Sequence, residues 1–219
     1  MQAIILLPIS FAMIASIIKF RFNKNNFFFI EGVALLCAGI CMLAITQFPH
    51  HNWELWWLVI AFLFSIIGDF FMKRLHSNKE LKLGIIFFLL AHMGFLVYSL
   101  RHNGLVWWVF LLTIIPFAFI AVRFYQTATR LQEDKYLAGF GLVYIIMSCA
   151  TLAANLTHNG EIGAWLFLLA ISCLIVSDLL IAFRELYGNL KTNYFIMPLY
   201  YLCHILIAYS VIVRYLECG

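Results

Sequence analysis

The sequence predicts an all-α fold, a polytopic membrane bundle of eight transmembrane helices. Three observations lead there: the composition, eight long apolar runs, and a lopsided placement of basic residues. Of 219 residues, 65% are hydrophobic and only 11% are charged, and the mean hydropathy is +0.98. A soluble domain carries roughly 25% charged residues. A globule of this size has no room to hide so much apolar surface from water, whereas lipid accepts it. The length allows one compact transmembrane domain over residues 1–219.

A spanning helix needs about 20 consecutive apolar residues. The apolar runs fall at about 2–19, 27–47, 54–72, 83–100, 105–123, 136–157, 162–183 and 193–215. They are continuously apolar, without the alternation that a membrane barrel strand needs. The first run has no basic segment before it, so it is expected to be a spanning helix and not a cleaved leader. Short loops join the runs, and neighbouring helices should pack antiparallel. The six cysteines (Cys37, Cys41, Cys149, Cys173, Cys203 and Cys218) form no CxxC pair. Five lie inside apolar runs, where a thiol packs as a small hydrophobe.

The basic residues set the direction. Twelve of the fourteen lysines and arginines fall in alternate loops. They are Lys19, Arg21 and Lys24; Lys73, Arg74, Lys79 and Lys82; Arg123, Arg130 and Lys135; and Arg184 and Lys191. Only Arg101 and Arg214 fall on the other side. Those four loops are therefore expected in the cytoplasm, with both termini outside. The expected location is a bacterial inner membrane. Trp53, Trp56, Trp57, Trp107 and Trp108 fit an aromatic belt on the outer side. With the basic residues confined to short loops, the net charge of +4 is no nucleic-acid signature.

The two halves are weakly alike. Helix 3 ends in GDFFMKRL and helix 7 in SDLLIAFREL; helix 4 holds AHMGFLVYS and helix 8 holds CHILIAYS. Asp69 and Asp178 are 109 positions apart, and His92 and His204 are 112 apart. Two four-helix repeats of parallel orientation would give this spacing; chance likeness between apolar segments would give it as well.

An ionisable side chain in the bilayer core costs roughly 2.5–3.5 kcal/mol on insertion scales, so each one asks for a reason. Glu31, Asp69 and Asp178 are the acids inside helices, and His92 and His204 the histidines. At 1.5 Å per residue, Asp69 lies about 6 Å and Asp178 about 9 Å inside the cytoplasmic boundary. Glu31 lies near the cytoplasmic start of helix 2. All three share one level, at the depth of the glycerol backbone of an inner-leaflet lipid. Asp69 could instead pair with Lys73 one turn on, and Glu31 could pair with Lys24. Asp178 has no basic residue at i+3 or i+4. The histidines lie deeper than the acids, a poor arrangement for a zinc site, and no metal or cofactor is expected.

Tyr144, Ser148, Thr151 and Asn155 recur at i, i+4, i+7 and i+11 on helix 6, a polar stripe on one face. Such a face should look into the bundle, to line a pocket or to hydrogen-bond other helices. Pro198 can bend helix 8, and Tyr194, Tyr200 and Tyr201 surround that bend. Motifs of zinc proteases, serine hydrolases, P-loop enzymes and dinucleotide binders are absent.

The stretch SIIGDFFM followed by GIIFFLLAHMGFLVY resembles the YhhN family of membrane proteins, which includes the lysoplasmalogenases. GLVYIIMS in helix 6, GAWLFLLAISCLIVSDLLIAF in helix 7 and YYLCHILIAYS in helix 8 continue the likeness. It covers most of the chain from residue 60 onwards. The resemblance implies hydrolysis of the vinyl ether bond of a lysoplasmalogen, a lysophospholipid. The products would be a fatty aldehyde and a glycerophosphocholine or glycerophosphoethanolamine. It also implies that the family's acidic pair is Asp69 and Asp178 and that its helix 6 residues are Tyr144 and Met147. His204 stands where family members often carry Gln.

A vinyl ether hydrolyses when its carbon is protonated and water attacks the resulting oxocarbenium ion. Two carboxyls in a dry site can share the proton this needs. Asp69 and Asp178 are the expected catalytic pair, with Glu31, Lys73, His92, Tyr144, Ser148, Tyr201 and His204 binding substrate or supporting them. Lys73, Arg74, Arg184 and Lys191 could hold the lipid phosphate, although the rule that sets orientation also accounts for them. A transporter is the leading rival, with a polar path through the whole bilayer, and a lipid-binding scaffold is the third reading.

Overall fold

The computed structural model describes residues 2–22, 27–47, 53–73, 78–130, 135–156, 161–187 and 193–217. A 3-10 turn at Gln2–Ile5 leads into eight α-helices. They are α1 (Leu6–Phe22), α2 (Phe27–Gln47), α3 (Leu55–Lys73), α4 (Asn78–Asn103), α5 (Trp107–Arg130), α6 (Lys135–Leu156), α7 (Ile162–Tyr187) and α8 (Asn193–Glu217). No strand occurs among the described residues.

Five helices hold stretches long and apolar enough to cross a membrane, judged by length and composition: Phe28–Gln47, Leu55–Met72, Lys82–Asn103, Ile162–Ile181 and Tyr194–Tyr215. In α5 and α6 the described apolar stretches are shorter, Trp107–Phe119 and Val143–Leu156, and α1 has 17 residues. Several helices outrun their apolar segments. α4 begins on the polar residues 78–82, where Glu80 complements the positive end of the helix dipole. α5 runs on to Arg130 through polar sequence. Backbone hydrogen bonding continues past the point where hydropathy falls, so hydropathy alone sets the ends too early.

Burial follows the logic of a lipid-facing bundle. Many small residues lie in the interior beside large ones such as Phe62 and Phe167: Cys37, Cys41, Ala44, Ala61, Ala153, Ala154, Ala170 and Ala208 are fully buried. Large apolar residues such as Leu7, Met13, Leu111, Leu112, Ile115 and Phe119 are exposed. Small residues let helix backbones approach, and this is how helices pack where lipid is as apolar as leucine. Gly94 shows it directly, because a Cβ there would lie 2.8 Å from both the Trp57 carbonyl oxygen and the Ala61 methyl. Cys37, Cys41, Cys149 and Cys203 are buried free thiols, and Cys173 is a half-buried one; Cys218 lies outside the described residues. Trp53, Trp56, Trp107 and Trp108 are exposed, as an aromatic belt needs, whereas Trp57 packs against the core. α4 ends on Gly104, whose φ of +73° is a left-handed C-cap and whose N–H donates to Leu100 O at 2.9 Å.

The helices adjoin in a closed ring: α2 packs on α3, α3 on α4, α4 on α6, α6 on α7, α7 on α8, and α8 back on α2. α1 lies outside the ring against α2 and α8, and α5 lies outside against α6. The adjacency in one half repeats in the other. The α3–α4 and α7–α8 pairs are the most extensive contacts, and α1 covers α2 as α5 covers α6.

Candidate active site

Each helix of the ring contributes a polar side chain. Glu31 comes from α2, Asp69 from α3, His92 from α4, Tyr144 from α6, Asp178 from α7, and Tyr200 with His204 from α8. The outer helices α1 and α5 contribute none of these. The candidate site is therefore the inside of the ring, and its members come from segments scattered over the whole chain.

The two aspartates have separate settings. Asp69 is 5% exposed, and its Oδ2 accepts the Tyr200 hydroxyl at 2.8 Å. Ser65, one turn earlier on the same face of α3, adds a hydroxyl contact to Tyr200. Asp178 is more open, with 27% of its side chain exposed. Its Oδ2 accepts the Tyr144 hydroxyl, and His92 Nε2 lies 3.6 Å from the same oxygen. Asp69 lies within electrostatic range of both Asp178 and Glu31.

The imidazoles complete the two groups. The His92 ring packs edge-on against Tyr144, with centroids 4.2 Å apart, and its Nδ1 is buried without a hydrogen-bond partner. His204 Nδ1 lies 2.8 Å from the Tyr200 carbonyl oxygen, one turn back on α8. A carbonyl can only accept, so Nδ1 carries the hydrogen and Nε2 keeps a lone pair. That Nε2 is buried and unpartnered. The Tyr200 and Phe62 rings flank it, with centroids 4.3 and 5.3 Å away. Ser177, next to Asp178, donates to the Ile196 carbonyl at 3.1 Å and ties α7 to α8 beside Pro198.

The α6 stripe faces inward, and its members divide between two tasks. Tyr144 serves Asp178. Further along, Asn155 Nδ2 donates to Ser99 Oγ at 3.0 Å, and Asn103 Nδ2 donates to Asn155 Oδ1 at 2.8 Å. Thr151 bonds its own helix at the Met147 carbonyl. The far end of the stripe thus locks α6 to α4. Ser148, between the two ends, is buried, with its hydroxyl beside that of Tyr144.

Tyr201 is buried beside Tyr200 and within electrostatic range of Asp69, but Tyr200 makes the hydrogen bond. Tyr200 is the residue that sequence reasoning undervalued. Its spacing of four from His204 put it on the same face, and that was the available signal. Tyr194 lies apart, stacked on Phe20 at 5.8 Å. Of the basic residues, Arg184 comes within electrostatic range of Lys19, so α1 and α7 bring cations together. The side chain of Lys73, and all of Lys24, Arg74 and Lys191, lie outside the described residues. Among the described residues no three His, Cys, Asp or Glu side chains form a group suited to a metal ion.

Comparison with known proteins gives one result. The family model described as the YhhN family matches residues 11–211, nearly the whole chain. No curated protein and no solved structure matches it.

Proposed function

The chain belongs to the YhhN family, and from that premise we propose that it is a membrane-embedded hydrolase of the vinyl ether bond of lysoplasmalogens. The observation that carries the reading is that two aspartates, each bonded to its own tyrosine, lie within electrostatic range of each other inside one helix ring. Asp69 is buried and has one tyrosine donor. Asp178 is partly exposed, accepts from Tyr144 and lies beside His92.

The two aspartates then divide the work. Asp69 gives its proton to the vinyl carbon remote from the ether oxygen, and an oxocarbenium ion forms. Asp178 takes a proton from water as the water oxygen bonds to the cationic carbon. The hemiacetal that results breaks its bond to the glycerol oxygen, which takes the proton from Asp178 and leaves as an alcohol, while the hemiacetal hydroxyl returns a proton to Asp69 and becomes the carbonyl. The other product is a fatty aldehyde. No net oxidation occurs. His204 Nε2 and His92 Nδ1 are buried without a hydrogen-bond partner and can orient the water.

In this reading all eight helices span an inner membrane of bacterial type, both termini lie outside, and the acids sit beneath the cytoplasmic surface. The repeated adjacency of α1–α4 and α5–α8, with Asp69 answering Asp178 and His92 answering His204, supports two four-helix repeats in one domain.

The test is release of fatty aldehyde from a defined lysoplasmalogen by purified protein, with a saturated ether lysolipid as control. Release from the vinyl ether alone supports the reading; release from neither removes it. A second reading, transport, draws on the α6 stripe, which runs on from Tyr144 through the buried Ser148, Thr151 and Asn155. Flux into proteoliposomes without hydrolysis would favour it.

A further inference from the structure

Arg214 lies near the end of α8 away from the acids, and it is 95% buried, with a relative exposure of 5%. Its Nη1 donates to the Tyr98 hydroxyl at 3.0 Å, and its guanidinium carbon lies 5.8 Å from the Tyr98 ring centroid. Nε and Nη2 are both buried and have no hydrogen-bond partner. Those two nitrogens share one edge of the guanidinium. Their N–H bonds run parallel and match two oxygens of one oxyanion. The edge that recognises phosphate is thus the unpartnered one. A buried cation left in this state is costly unless an anion answers it.

The other half of the bundle contains the answer that Arg214 lacks. The spacing of 112 that takes His92 to His204 takes His102 to Arg214. The spacing of 109 that takes Asp69 to Asp178 takes Glu54 to Gly163. Glu54 Oε2 lies 3.8 Å from His102 Nδ1, so the first half has its own acid. In the second half a glycine stands in that place. The Arg214 stem crosses so close to it that a Cβ on Gly163 would lie 2.3 Å from Arg214 Cγ. Tyr98, stacked on His102 and packed on Phe167, holds the opposite end of the guanidinium.

We propose that the Nε–Nη2 edge of Arg214 binds a phosphate group, at the end of the ring remote from Asp69 and Asp178. The phosphate is either a free anion or the headgroup of a lipid in the adjoining leaflet. The site does not depend on the hydrolysis reading.

Thermal unfolding of the full chain in neutral detergent tests the site without any lysoplasmalogen. One arm titrates inorganic phosphate against chloride at matched ionic strength. The other titrates phosphatidylglycerol against uncharged diacylglycerol in mixed micelles. The expected result is a saturable rise in Tm of several degrees in at least one arm, without a rise in its control. Phosphate alone acting identifies a free anion, and the lipid alone acting identifies a headgroup. Arg214→Gln should abolish the rise. Arg214→Lys keeps the charge but loses the fork, and should raise the half-saturation concentration at least tenfold. Tyr98→Phe, which frees Nη1 and leaves the charge in place, should raise it less. No saturable rise in the unaltered protein overturns the proposal whatever the variants do. An unchanged midpoint in the variants that fold overturns it as well.

Discussion

The Tyr200 hydroxyl on α8 donates to the Asp69 carboxylate on α3 at 2.8 Å, across 131 positions of sequence. α2 packs against both helices, so the side chains themselves span the interior of the ring. Tyr144 and Asp178 make the corresponding link between α6 and α7. Each aspartate is therefore held by a phenol from another helix.

Tyr200→Phe should slow hydrolysis by about 2- to 10-fold, because a hydrogen bond to a neutral carboxyl contributes about 0.5–1.5 kcal/mol. Tyr144→Phe should act similarly on Asp178. Steady-state rates of aldehyde release, corrected for folded protein, check both. Rates equal to the unaltered protein would mean that the phenols position nothing.

Protonation on carbon leaves a mark. In deuterated water the aldehyde should carry one deuterium on the carbon beside its carbonyl, read by mass spectrometry after rapid trapping. Aldehyde without that deuterium would mean that Asp69 does not protonate the vinyl carbon.

Asn155→Ala should separate stability from chemistry. It leaves Asn103 and Ser99 without their α6 partner in a buried setting. A loss of roughly 1–3 kcal/mol of stability is expected. Thermal unfolding in detergent reads the loss, and the rate per folded molecule should stay within about threefold of the unaltered protein, a difference of under 1 kcal/mol in barrier.

Gly94→Val should be far more damaging. Even its Cβ would meet the Trp57 carbonyl oxygen at 2.8 Å, so α3 and α4, the helices that carry Asp69 and His92, must separate. Overpacking of this kind typically costs 1–3 kcal/mol or more. Folded yield and activity should fall together.

Much of this was legible in the sequence, for physical reasons. Continuous apolar runs can only be helices in lipid, so the eight helices follow from hydropathy. The acids stood out because charge is costly there. The order of helices around the ring was not legible, since apolar faces look alike whether they meet lipid or another helix. The choice between Tyr200 and Tyr201 was hidden for a related reason. Both lie within one turn of His204, and only packing against α3 decides which reaches Asp69. Arg214 read as an outer-boundary charge, because nothing in its spacing revealed that Tyr98 draws it into the bundle. Gly163 was silent until its closeness to the Arg214 stem appeared.

The central claim is that Asp69 and Asp178 together perform the hydrolysis. The most direct measurement is aldehyde release by Asp69→Asn and Asp178→Asn, each verified as folded by its elution and thermal unfolding. Each should lose activity by about 100-fold or more, the usual weight of a positioned acid or base. Full activity in either folded variant would contradict the account.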